Sequence, residues 1–208
     1  LLLALLPLGV VLPLMMAALA YWGGNYFDRL LVTKVRSDLA VAHGYYERVS
    51  EGIGRSVAGL AYSERLVRAL AQPSSDRSAR IADLLEATQR EHRLDFLHFL
   101  DASSSQQRAA GSPVIASALA GSARTETELF QPEQLQAINP HLASRASTTL
   151  LPTANAKPSQ RNAEVRGLVI LSAAPVLNAA GHLIGVLEGG FLLNMFLEFI
   201  DRLNIIVY

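Results

Sequence analysis

The chain has 208 residues, in which eighteen basic and eighteen acidic side chains balance to a formal charge of zero. That length accommodates a membrane segment plus one core-bearing domain, and the even charge lacks the basic stripe that would hold a phosphate backbone, so nucleic acid is not an expected partner. There is no cysteine, which excludes a disulfide framework, a thiolate zinc site and a cysteine nucleophile.

No charged residue precedes Asp28, and Leu1 to Trp22 is almost wholly apolar. As a helix that stretch would be roughly 33 Å long, close to the hydrocarbon thickness of a bilayer. Tyr21, Trp22 and Tyr26 fall where an interfacial aromatic belt would lie. Pro7 and Pro13 are tolerated in membrane helices. A cleavable signal peptide would have an apolar region of only about 7–15 residues ending in a small-residue cleavage site. The run here is longer and leads into Tyr-Trp-Gly-Gly, so a retained transmembrane helix over 1–24 is expected, with the lipid bilayer as partner.

Beyond it, apolar residues recur at Leu31, Val35, Leu39, Ala42, Tyr46, Val49, Ile53, Val57 and Leu60. Their spacing averages about 3.6, the period of an amphipathic helix. A long helix over 25–71 is predicted, ended by Pro73, with an apolar stripe available for pairing with a second copy as a homodimer. Ser74 or Ser75 then caps a shorter helix carrying Ile81, Leu84, Leu85 and Thr88. Leu94–Asp101 is a short apolar run and reads as a strand. Ala102 to Gly111 reads as a turn or a poorly formed hairpin. Pro132 opens a short helix through Ile138, stopped at Asn139-Pro140. Residues 141–164, rich in small and hydroxyl side chains, read as a long loop. Val165 to Ala174 is a second strand halted by Pro175, Asn178 to Gly181 a turn, and His182 to Leu193 a third strand. Asn194 to Asn204 is a final amphipathic helix. Segregated helices and strands argue for an α+β fold with an antiparallel sheet.

The run Arg166–Val176 (RGLVILSAAPV) followed by Asn178–Asn194 (NAAGHLIGVLEGGFLLN) resembles a Cache-domain signature, a strand ending in Ala-Pro-Val, a tight turn at Gly and a strand of the Leu-Ile-Gly-Val-Leu type. Leu193 to Tyr208 is similar to the passage into the second module of double Cache domains. Leu94–Asp101 resembles their first central strand, and the anchor plus long helix their entry. The segment after Asp101 departs from the family pattern, having Ser-Ser-Ser-Gln-Gln where a Gly hairpin is usual. The resemblance implies a PAS-like Cache module over 25–193, sheet-containing from 94, and a connector opening a second module over 194–208. It also implies a bacterial inner-membrane receptor with an extracytoplasmic sensory domain, of the kind found in sensor histidine kinases and chemoreceptors. The aromatic, Arg and Asp set that similar domains use for amino acids is not found, so that ligand class is not implied.

Catalytic signatures are absent: no nucleophile elbow, phosphate loop or kinase motif is present, and no two histidines stand at metal-ligand spacing on one helix. No enzyme activity and no cofactor are therefore expected. Gly185 to Gly190 lies within a strand pattern and reads as close backbone approach or a bulge. Alternation along the strands places Phe96, His98 and Leu100 on one row, Arg166, Leu168, Ile170 and Ser172 on another, and Val186 and Glu188 on a third. Apolar rows with a few polar groups describe a ligand pocket. His98, Ser172 and Glu188 are its candidate residues, with 145–166 as a lid whose Arg161 and Arg166 would meet an anionic small molecule. The competing reading makes His98 and Ser172 satisfied core residues, Glu188 solvated, and 145–166 a mobile solvated loop. Signal reception through ligand binding or stress sensing is the expected function. A ligand-free dimerisation or protein-docking module on the same fold is the alternative.

Overall fold

The computed structural model describes residues 2–71, 77–151, 153 and 161–194. The chain divides into two compact units, one carrying Leu1–Tyr46 and the other Glu47–Asp201. Helix α1 runs Leu2–Ala61. In the first unit Val35 and Leu39 of its apolar stripe are exposed, whereas in the second Ile53, Val57 and Leu60 are buried. The side chains of residues 1–10, 12, 20 and 22–31 lie outside the described residues, and the expected membrane span over 1–24 falls largely on them. Among the described residues no helix is long and apolar enough to cross a membrane.

The expected helix to residue 71 is broken at Tyr62–Ser63. The Ser63 hydroxyl donates to the Leu60 carbonyl at 2.7 Å and accepts from the Leu66 N–H at 3.3 Å. It thereby closes α1 and caps α2 (Glu64–Ala71), the local competition that makes serine a boundary residue. Helix α3 follows over Arg77–Glu91. Pro73 and the expected Ser74 or Ser75 cap lie outside the described residues.

Strand β1 (Phe96–Asp101) lies where the apolar run predicts it. The turn expected after Asp101 is instead a helix, α4 (Ala102–Ala109). The Asp101 carboxylate accepts the Ser104 N–H at 2.8 Å and so supplies the partner that an N-terminal turn needs. Helix α5 (Pro113–Leu119) begins with proline at its first turn behind Ser112. Strand β2 (Arg124–Phe130) went unread in the sequence because its alternation is charged rather than apolar. Helix α6 (Pro132–Ile138) matches expectation. The loop expected from 141 is corrected at both ends. Pro140, read as a stop, is the first residue of α7 (Pro140–Ala146) behind the Asn139 cap, and β3 (Thr148–Thr149) pairs with β4 (Ala163–Glu164).

Strands β5 (Gly167–Leu177) and β6 (Leu183–Leu192) form the central hairpin. Its connection is too short for a parallel crossover, and the pairing is antiparallel. Asn178 builds the turn: its side-chain oxygen accepts from the N–H groups of Ala180 and His182, each at 2.9 Å, and Gly181 takes φ of 79°. Pro175 does not halt β5. Pairing with β2 ends at Ala173, so among the described residues β5 has an open edge beyond it, where a missing N–H leaves no ladder bond unmade. The sheet order is β1-β6-β5-β2, with every neighbour antiparallel. The result is a mixed fold of helices around an antiparallel sheet with one long helix. The final helix expected over 194–204, and the connector through 208, lie outside the described residues apart from Asn194.

Candidate functional site

Register decides which side chains can meet. Residues opposite one another in a ladder share a face. His98 stands opposite Glu188, and Glu188 opposite Ala173. One face therefore carries Phe96, His98, Leu100, Val186, Glu188, Val169, Leu171 and Ala173. Phe96, Val169, Leu171, Ala173 and Val186 pack there with Val114, Ile115 and Ala118 of α5 and with Leu135 and Leu142 of α6 and α7. Ser172 stands opposite Gly189 and Thr125 and looks out from the other face. There the Thr125 hydroxyl donates to Ser172 Oγ at 2.9 Å, and α1 comes so close that a Cβ on Gly54 would lie 2.7 Å from Thr125 Oγ1.

The Gly189-Gly190 pair serves both faces. A Cβ on Gly189 would meet Val57 of α1 at 2.9 Å, and one on Gly190 would meet the Phe96 ring at 2.7 Å. Close approach is thus the correct reading of Gly189 and Gly190, and the irregularity of the hairpin falls where the consecutive residues Val176 and Leu177 face Gly185 and Leu183, leaving Ile184 of β6 without an opposite number. That shift is why simple alternation misaligned the rows: it puts Glu188 on the face opposite Ser172.

Glu188 is 2% exposed in the middle of the helix-covered face. Burying a carboxylate is costly unless it is paired. The pairing comes from α4, whose Arg108 donates from Nη2 to Glu188 Oε2 at 2.8 Å. His98 Nδ1 lies 3.8 Å from Glu188 Oε1, on a side chain 43% exposed. The Arg108 guanidinium also sits 5.7 Å from the centre of the Phe130 ring, and Phe96 stacks obliquely beside both His98 and Phe130. Among the described residues Arg108 Nε is buried without a hydrogen-bond partner. An arginine has five N–H donors in a planar fork, so this one retains donor capacity beyond Glu188. The arrangement is a cation, a buried anion and a solvent-reachable imidazole set in an aromatic wall, the kind of polar group that orients a small ligand.

Arg166 and Arg161 are not part of it. Arg166 grips Glu164 through Nε and Nη2, each at 2.7 Å, and Arg161 reaches the same carboxylate at 3.5 Å. The side-chain hydrogen bonds from Arg166 hold the Glu164 carboxyl down at about 2. Of the residues read from the sequence, the structure unites His98 and Glu188 and separates Ser172, Arg161 and Arg166 from them. Sequence reasoning missed Arg108, because α4 was read as a turn. An aspartate before Ala-Ser-Ser-Ser-Gln-Gln-Arg-Ala is an N-cap signal that could have revealed it. It also missed Asp95, whose carboxylate accepts the Leu192 N–H at 2.7 Å and pairs with Arg145 of α7.

No family model matches the chain, and no curated protein matches it. Among solved structures, the chain is similar to the periplasmic domain of Vibrio cholerae LuxQ, with a TM-score of 0.44 and 12% identity over 82% of this chain and 69% of that one.

Proposed function

We propose that the chain is the sensory part of a membrane-bound bacterial signalling receptor, a PAS-like Cache module lying outside the cytoplasmic membrane that binds a small molecule at His98 and Arg108. The observation that carries this reading is the buried Glu188–Arg108 pair with a spare guanidinium donor beside a half-exposed imidazole. The Cache-like succession from Arg166 to Asn194 supports it, and that stretch forms the central hairpin. Leu14, Met15, Met16 and Leu19 stand exposed on α1, an apolar surface that a bilayer would cover and that favours an anchor. Binding would shift a conformational balance, which α1 would pass towards the membrane. A catalytic role has less support, because His98 and Ser172, which a hydrolase would need together, lie on opposite faces of the sheet.

A thermal-shift screen of small metabolites, anions included, should find a ligand that stabilises the full chain but not Arg108→Gln or His98→Ala. A second reading, a ligand-free dimerisation module, is favoured by one observation, the exposed Val32, Val35 and Leu39 on α1. No stabilising ligand in that screen, together with a tight dimer that Val35→Glu dissociates, would replace the first reading with the second.

A further inference from the structure

A cleft lined by several arginines lies away from the Glu188 site. The C-terminal end of α1, α2 and α3 border an open cleft of about 760 Å³, within the roughly 300–1,000 Å³ usual for small-molecule sites. Three guanidinium-bearing side chains line it, Arg55 from α1 and Arg65 and Arg68 from α2, together with His92 just beyond α3 and Thr88 within it. Glu64, also in the lining, is engaged with Arg68 at 2.9 Å. The Arg55 side chain bonds a carbonyl, that of Glu51 at 3.4 Å, and the Arg65 side chain has no hydrogen bond or ion pair among the described residues.

Charge balance and geometry point the same way. Arg65 and Arg68 are three residues apart on one helix face, where like charges repel, and Arg55 adds a third cation from a neighbouring helix. One carboxylate cannot offset three guanidiniums. A multivalent anion between the helices would relieve the repulsion, and planar guanidinium forks suit the oxygens of a phosphate. We infer that this cleft binds a phosphate group, free or as a headgroup, bridging α1 and α2 across the break at Tyr62–Ser63. The site is independent of the sensory reading, since it shares no residue with His98, Arg108 and Glu188.

The test uses the full chain in liposomes of phosphatidylcholine and reads arginine modification by phenylglyoxal, mapped by mass spectrometry. Inorganic phosphate at constant ionic strength should slow modification of Arg55 and Arg65 but not of Arg124. Protection given by liposomes containing phosphatidylglycerol, and not by inorganic phosphate, would identify a lipid headgroup as the source and equally support the site. In parallel, Arg55→Gln/Arg65→Gln should weaken the phosphate- or headgroup-dependent rise in melting temperature by about tenfold in apparent affinity. Both arginines are exposed, so the variant should fold, and its melting temperature without anion should equal or slightly exceed the parent's because like-charge repulsion is removed. Should the variant not fold, protection in the parent decides alone. Absence of protection by either source, or an undiminished response in the folded variant, overturns the inference.

Discussion

His98 and Glu188 occupy one register position of the β1–β6 ladder, with 3.8 Å between Nδ1 and Oε1, yet the imidazole is 43% exposed and the carboxylate 2% exposed. A solvent-reached imidazole thus stands beside a buried charge, which the partly exposed Arg108 pairs from α4.

Arg108→Ala should therefore be far more damaging than an average surface change. It leaves Glu188 buried and unpaired, a loss of about 3–5 kcal/mol in unfolding free energy by urea titration. Arg108→Met combined with Glu188→Leu should recover most of that loss, because no uncompensated charge remains. Equal stability of the single and double variants would refute the pairing argument.

Glycine-to-alanine scanning along α1 should change sign with position. At Gly44 nothing lies within 4 Å of an added Cβ, so Gly44→Ala should stabilise by up to about 1 kcal/mol through helix propensity. At Gly54 the added carbon meets Thr125 Oγ1 at 2.7 Å, and overpacking should turn the effect to a loss of about 1–3 kcal/mol. Thermal melts of the two variants check both signs.

Glu164 should titrate near pH 2, by carbon-detected NMR of its carboxyl, and Arg166→Gln should return it towards the ordinary carboxylate range. A depressed folded value means that the contribution of the pair is present above the ordinary carboxylate range and is lost as pH falls through it towards about 2. An unchanged midpoint in Arg166→Gln would show that the arginine is not the cause.

Asp101→Ala should lower stability by removing the α4 cap, seen as a lower melting temperature, and Asp101→Ser should restore most of the loss. The Ser104 N–H, followed by the Ser103 hydroxyl, holds the Asp101 carboxyl below its usual range. The cap should therefore weaken as pH falls through that range, visible as loss of amide protection in α4.

How far the sequence could be read depended on whether local signals and tertiary contacts agreed. The β5–β6 hairpin was legible because Asn178 and Gly181 specify the turn between two apolar runs. β2 was not, because Arg124, Glu126 and Glu128 alternate with threonines and leucine, a pattern that becomes a strand only by pairing with β5. Pro140 and Asp101 were ambiguous, since proline both ends and begins helices and aspartate suits turns and caps alike. The site was half legible. Period-2 alternation identified His98 and Glu188 as inward candidates, but the irregularity between Val176 and Leu177 moved Ser172 to the other face. Arg108 comes from a helix eighty residues away from Glu188 in sequence, a meeting that no local pattern encodes.

The same charged alternation gives β2 a protective role at the margin of the sheet. Among the described residues it has a single strand neighbour, β5, and a bare strand margin is a template on which other chains can add. Arg124, Glu126 and Glu128 set ionised groups along that margin, and the Ser112 hydroxyl and Val114 N–H at the start of α5 hold Glu128 at 2.8 and 3.3 Å. An incoming strand would have to strip water from these charges. β2 is thereby guarded against fibril-like stacking, and neutralising Arg124 and Glu126, which leave the Glu128 hydrogen bonds intact, should make the domain prone to aggregate well before it becomes unstable.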